Sequence, residues 1–168
     1  METCRQGRDY VGLFGTCGNS TWRQPFIDRY KALKIPFFNP QLPDGTWTPA
    51  DSEKEVLHLA NDDIIVFVIT DETYAFVSLV EAGLIIGRMQ NSHRKLVIFI
   101  DQELDNSLIE ADVSLAKASI SMREMLIKHL KTTTDNVFVT KTLSATLEMS
   151  VLLYSHKLGC IALAQEVM

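Results

Sequence analysis

Ile64-Ile65-Val66-Phe67-Val68-Ile69 is apolar at every position, with Asp62-Asp63 before it and Asp71-Glu72 just after it. A strand with one wet face would alternate polar and apolar residues. An unbroken run of β-branched and aromatic residues belongs to a strand covered on both faces, as in a parallel sheet between helical layers. Four further apolar runs read as strands: Val11–Gly15, Ile35–Asn39, Lys95–Ile100 and Val137–Thr140, with the central strand extending over Ile64–Thr70. Helical patterns lie between them. Trp22, Phe26, Tyr30 and Leu33 recur at helical spacing, and Ser52 to Ala60 opens with a capping-box sequence, Ser52-x-x-Glu55. Phe76–Met89, Leu108–Lys131 and Leu143–Val167 supply three more helices. Strict β-α alternation implies right-handed crossovers, and so a single-domain α/β fold with a five-stranded parallel sheet between helices.

The bulk properties agree and exclude several classes. The chain has 168 residues, 46% hydrophobic and 22% charged, ordinary values for a globular domain with a real core. A net charge of -5 and scattered Lys and Arg argue against a nucleic-acid partner, because phosphate contacts require a basic surface. No apolar run approaches the ~20 residues of a membrane span. Met1 to Asp9 is polar and mixed in charge, unlike a signal peptide, and is expected to be flexible. Cys4, Cys17 and Cys160 are odd in number and far apart, which fits reduced thiols and a cytoplasmic location. His58, His93, His129 and His156 show no metal-ligand spacing, so no metal and no cofactor are expected.

In open parallel sheets the ligand sits at the carboxyl ends of the strands, at the point where strand order reverses. Gly15-Thr16-Cys17-Gly18-Asn19-Ser20, Asn39-Pro40-Gln41, Asp71-Glu72-Thr73-Tyr74 and Asp101-Gln102 are expected to share that rim. The glycines of the first loop permit close backbone approach, and the following helix, beginning near Trp22, offers free N–H groups to an anion or a sugar. The loop has neither the G-x-G-x-x-G nor the P-loop spacing, and an ordinary tight turn is the alternative. Cys17 lacks a paired base in the sequence. Asp63 reads as a boundary residue or a binding group, and Asp71 caps the carboxyl end of the central strand.

Glu81 stands out, set in the apolar run Phe76-Val77-Ser78-Leu79-Val80-Glu81-Ala82-Gly83-Leu84-Ile85-Ile86. A carboxylate among apolar neighbours is costly without partners, so it serves a site, a salt bridge to another helix or a subunit interface. Ser78, one turn earlier, is placed to hydrogen-bond it. The stripe Leu143, Leu147, Val151 and Tyr154 of the last helix reads as core or subunit contact.

Taken in order, Gly15-Thr16, Trp22-Arg23, Phe38-Asn39-Pro40, Asn61 to Phe67, and Ser78-x-x-Glu81-x-Gly83 resemble the nucleoside 2-deoxyribosyltransferase-like family, from about Val11 to Ile100. The resemblance implies a flavodoxin-like three-layer α/β/α fold and a nucleoside or nucleotide substrate. It implies that Glu81 attacks C1′, releases the base and holds the sugar as a glycosyl-enzyme until a second base displaces it. Water in place of that base would give an N-glycosidase. It further implies a homo-oligomer whose neighbouring subunit completes the site. The family's aspartate six residues before the nucleophile is Ala75 here, so Asp71 or Tyr74 would have to protonate the leaving base. Its further carboxylate falls on Glu55, which has the capping alternative. The departure at Ala75 leaves open a non-catalytic nucleotide-binding module on the same fold.

Overall fold

A computed structural model describes residues 11–42, 46–89, 92–132 and 135–167, with side chains described through residue 158. The expected flexible segment at residues 1–9, and the side chains of Cys4 and Cys160, lie outside the described residues. Five strands, β1 (Val11–Gly15), β2 (Phe37–Phe38), β3 (Ile64–Ile69), β4 (Lys95–Ile100) and β5 (Val137–Val139), form one parallel sheet in the order β2-β1-β3-β4-β5. This is the flavodoxin-like order, and it reverses between β1 and β3. Six helices complete the described residues: α1 (Arg23–Leu33), α2 (Pro49–Asn61), α3 (Phe76–Met89), α4 (Asn106–Ala111), α5 (Val113–Leu130) and α6 (Leu143–Val167).

β3 is buried at all six positions, and the period of two sorts its side chains into two cores. Ile65, Phe67 and Ile69 meet Leu79, Ala82 and Ile85 of α3 and Leu126 of α5. Ile64, Val66 and Val68 meet Phe26 and Tyr30 of α1 and Tyr154 of α6. Leu143, Leu147 and Val151 pack against this second core. The stripe read as a possible subunit contact is therefore committed to the sheet.

Several expected boundaries move, each for a local reason. Expected over Ile35–Asn39, β2 pairs only at Phe37–Phe38, because Pro36 and Pro40 bring no N–H to the ladder. The expected Ile64–Thr70 strand stops at Ile69, since the Thr70 N–H donates to the Thr16 hydroxyl instead of a strand. The expected Leu108–Lys131 helix is two helices. Asp112, in extended conformation, accepts from the N–H groups of Ser114 and Leu115 and starts α5 afresh. The capping box of α2 is formed by Thr48 and Asp51, with Pro49 opening the helix, and not by Ser52 and Glu55. Glu55 thus lies inside the helix with no capping duty.

At the amino end of β3, Asp62 is buried and accepts a hydrogen bond or shares a proton with His58 at 2.9 Å, while its Oδ2 has no partner. The His58 ring stacks on Phe38 at 3.8 Å between centroids. Burial lifts the Asp62 carboxyl to about 6, only partly offset by His58 and Arg94. The folded chain therefore holds a proton that the unfolded chain releases at the ordinary, lower aspartate value. The resulting stability is fully present below that ordinary value and is lost as pH rises through about 6.

Two outcomes follow from this geometry. Asp62→Asn should abolish that component of the pH dependence, read as a flatter urea midpoint across the acid range than in the wild type. Gly15 has φ +118°, and a Cβ there would lie 1.9 Å from the Val68 carbonyl oxygen. Gly15→Ala should therefore cost at least ~3 kcal/mol, or prevent folding, in a denaturant titration.

Candidate functional site

The loop after β1 is held by a buried guanidinium. Arg23, at the start of α1, is 1% exposed and points back under the strand end. Its Nη1 donates to the Thr16 carbonyl at 2.6 Å, Nη2 to Gly15 at 3.3 Å and Nε to Leu13 at 3.4 Å. The indole Nε1 of Trp22 donates to the same Thr16 carbonyl at 3.0 Å, and the Arg23 guanidinium lies 4.4 Å from the Trp22 ring centre. From the other side, the Thr16 N–H donates to Val68 at 2.8 Å, and the Thr16 hydroxyl accepts from Thr70 at 3.0 Å. The two strand ends at the topological switch point are thereby locked together. Burial pulls the Arg23 pKa down, against the opposing pull of Cys17 and Glu55.

A second buried arginine does the same for β3 and β4. Arg123 of α5 donates to the carbonyls of Thr70 at 2.9 Å, Thr73 at 2.9 Å and Asp101 at 2.8 Å. Its Nε donates to the Ser119 hydroxyl at 3.2 Å, which donates in turn to the Tyr74 carbonyl at 2.8 Å. The sequence marks Arg23 only as half of the Trp22-Arg23 pair and gives no motif for Arg123. The available signal was position: Arg123 occupies the buried face of α5 with Ala116, Ser119, Leu126 and Leu130. An arginine at core spacing needs several carbonyl acceptors, and the ends of parallel strands supply them.

The expected rim residues divide into groups. Gln41 bridges two of the loops, its Nε2 donating to Gly18 at 2.8 Å and Ser20 at 3.4 Å, while its N–H donates to Asn39 Oδ1 at 3.1 Å. Cys17, Gly18 and Asn19 are exposed on the loop, and Ser20 is buried with its Oγ unpartnered. Trp22 is almost wholly buried, so its contact with any ligand is limited to its edge. Tyr74 donates its hydroxyl to the Leu108 carbonyl at 2.7 Å, which occupies its acidic proton structurally. Asp63 is not brought to this rim. It stands before β3, at the opposite end of the strand, and pairs with Lys157 of α6.

Glu81 lies on α3, half-buried, and burial raises its pKa. No hydrogen bond joins it to Ser78 among the described residues. Its electrostatic neighbour is Glu55 of α2, whose pKa is raised first by burial and then by Glu81, and is lowered by Arg23. Glu55 thus stands between two charges, that of Glu81 and that of Arg23 beneath the Gly15–Ser20 loop. Asp71 belongs to a different part of the rim. It lines a cleft of about 1110 Å³ at the ends of β3, β4 and β5, together with Thr70, Asp101, Thr140 and Ser144. Burial, then the Asp71 charge, raises Asp101 there. Glu81 and Glu55 do not line that cleft. Ala75, immediately before α3, has the left-handed φ of +53°, and its carbonyl accepts from Leu79 at 2.8 Å. No group of His, Cys, Asp and Glu suited to a metal ion occurs among the described residues, and no helix among them is long and apolar enough to cross a membrane.

The 2-1-3-4-5 parallel sheet between helical layers places the chain among flavodoxin-like α/β proteins. A family model described as nucleoside 2-deoxyribosyltransferase-like matches residues 10–103, over half of the chain, and the chain belongs to that family. No curated protein matches it.

The Arg23 cradle predicts a stability effect distinct from any catalytic one. Arg23→Met would take a charged donor from the carbonyls of Leu13, Gly15 and Thr16, the last of which keeps Trp22, and should cost about 3 kcal/mol. Calorimetry or urea titration reads this directly, and Arg23→Lys should recover only part of it because an ammonium cannot span the fork.

Proposed function

We propose that the chain is a nucleoside or nucleotide 2-deoxyribosyltransferase-like enzyme that cleaves an N-glycosidic bond through Glu81. The observation that carries this reading is that Glu55, half-buried on α2, stands under the charges of both Glu81 and Arg23 in a chain of this family. Two carboxyl groups that share one environment cannot both ionise freely, which is how acid and nucleophile roles are separated at one pH. Glu81 takes the ionised role and Glu55 the protonated one.

In the first step a Glu81 carboxylate oxygen forms a bond to C1′ as the C1′–N bond breaks. The bonding electron pair leaves with the base nitrogen, which takes a proton from Glu55. In the second step the nitrogen of an incoming base attacks C1′, the ester oxygen departs as the Glu81 carboxylate, and the proton returns to Glu55. Water in the second step gives hydrolysis. Glu55 is preferred over Asp71 as the acid because Asp71 faces the β3–β5 cleft, and over Tyr74 because its hydroxyl is engaged by Leu108. The exposed Gly18–Asn19 loop and the orphan Ser20 hydroxyl at the start of α1 suit the sugar side of the substrate.

One observation favours a second reading. Ala75 stands where the family aspartate would protonate the leaving base, and a chain lacking that acid could bind a nucleotide without cleaving it. Incubation with a deoxynucleoside and a different free base, followed by chromatography, separates the readings. Exchange or hydrolysis supports the enzyme, and saturable binding without either supports the module.

Glu81→Gln should reduce turnover by roughly a thousandfold or more with the melting temperature nearly unchanged. Glu55→Gln should impair exchange of ordinary bases but recover with an activated leaving group that needs no proton, whereas Glu81→Gln should not recover. The pH profile should be bell-shaped. Activity rises as Glu81 loses its proton, at a pH above the ordinary glutamate value because burial raises it, and falls as Glu55 loses its own. A flat profile across the acid range would contradict the assignment of the pair.

A further inference from the structure

α2 carries Glu55, yet little of the helix is sunk into the molecule. None of its 13 residues is buried, and Val56 and Leu57 are 62% and 57% exposed. A surface helix is ordinarily fixed by an apolar stripe pressed into the core. From α2, Leu59 alone packs against a core cluster. The other attachments are polar or aromatic and gather at the carboxyl end of the helix. The Arg94 guanidinium donates to the carbonyls of Leu59 at 2.7 Å and Asp62 at 2.6 Å, so a cation closes the negative end of the helix. His58 stands between Asp62 and Phe38. Its Nδ1 meets Asp62 Oδ1 at 2.9 Å, and its ring lies 4° from parallel to Phe38 with 3.8 Å between centroids. The strand beneath makes room for this. Gly12 of β1 pairs with Phe38, and a Cβ on it would come 2.7 Å from Asp62 Oδ2 and 2.3 Å from the Phe14 ring. A side chain at position 12 would push Asp62 off the sheet.

Glu55 precedes His58 by three residues, so the two side chains lie on one face of α2. We propose that His58 is a positioning residue for Glu55: clamped between Phe38 and Asp62, it fixes how α2 sits on the sheet and thereby where the Glu55 carboxyl stands relative to Glu81 and Arg23. A single apolar anchor such as Leu59 leaves a helix able to rock about its axis. A flat ring stacked on a strand residue on one side and hydrogen-bonded at its edge does not.

The charges that face Glu55 come from Glu81 on α3 and Arg23 on α1, and those that face Asp62 from His58, Arg94 and Asp63. Burial and then Glu81 raise the Glu55 pKa, and Arg23 lowers it, so the titration of Glu55 reports how closely α2 is held. The proposal deepens the reading of Glu55 as the acid and rests on it only for the effect on turnover.

The experiment is a carbon-13 NMR titration of the Glu55 carboxyl, assigned by its loss in Glu55→Gln, with hydrogen exchange of the α2 amides alongside. Both are read without substrate. His58→Ala should lower the Glu55 midpoint toward the ordinary glutamate value and speed exchange across α2 roughly tenfold or more. His58→Phe keeps the stack and should hold Glu55 near its wild-type midpoint, although Asp62 loses its partner and the melting temperature falls. Ser150→Ala unpairs the Tyr30 hydroxyl on the opposite face of the sheet, and should lower the melting temperature without moving Glu55. If His58→Ala does not fold, Phe38→Leu removes the same stack from the β2 side and should give the same downward shift. An unmoved midpoint in His58→Ala, or in Phe38→Leu where it stands in, would overturn the proposal. So would an equal shift in Ser150→Ala, or no recovery in His58→Phe. In turnover, His58→Ala should slow the release of ordinary bases and spare an activated leaving group. A lowered midpoint with normal turnover would contradict Glu55 as the acid and leave its positioning by His58 standing.

Discussion

The guanidinium of Arg23 is the constraint on which the site geometry rests. Parallel strands end in carbonyls that have no further strand to pair with, and at a switch point two such ends diverge. A charged group buried beneath them is costly to desolvate, yet it donates to three carbonyls at once, those of Leu13, Gly15 and Thr16. The same solution recurs at β3 and β4 through Arg123. With both strand ends fixed from below, the Gly15–Ser20 loop can keep an open shape above them without collapsing into the core. The residual positive charge of Arg23 also sets the electrostatics next door, where it opposes the rise in the Glu55 pKa.

This arrangement links stability to chemistry through the sheet. β3 is apolar on both faces because helices cover both, and that burial gives the switch point a rigid base. α2 and α3 each carry one half-buried carboxylate, Glu55 and Glu81, and the charge of Glu81 acts on Glu55. Neither lines the cleft that holds Asp71 and Asp101, so the molecule has two separate acidic environments. The one beside Arg23 combines a cation with two carboxyl groups, the set that the proposed glycosyl transfer would use.

Much of this was legible in the residues. The all-apolar run of β3 and the alternation around it specify the parallel sheet, and Glu81 stands out because a carboxylate in an apolar helix demands a reason. What the sequence concealed were choices between competing local partners. Ser52-x-x-Glu55 and Thr48-x-x-Asp51 both read as capping boxes, and Pro49 at the first helical position decides for the second. That choice leaves Glu55 inside α2 without a capping role. Asp112 split a helix whose apolar periodicity runs through it unbroken, since one side chain can replace the lost backbone bonds. The apolar stripe of α6 could be core or contact, and only the sheet's demand for cover on its second face assigns it to the core. The bracing roles of Arg23 and Arg123 are hidden in the sequence because their partners are backbone carbonyls, which leave no trace in side-chain patterns.

The most direct measurement of the central claim is the capture of the glycosyl-enzyme. Wild-type protein is mixed with a deoxynucleoside carrying a good leaving group, quenched in acid within the turnover time, digested and mapped by mass spectrometry. The account predicts one deoxyribosyl group in ester linkage on the peptide containing Glu81, absent from Glu81→Gln and discharged by adding a free base before the quench. Steady turnover with no adduct at any quench time, or an adduct on a peptide containing Asp71 or Cys17, would contradict it.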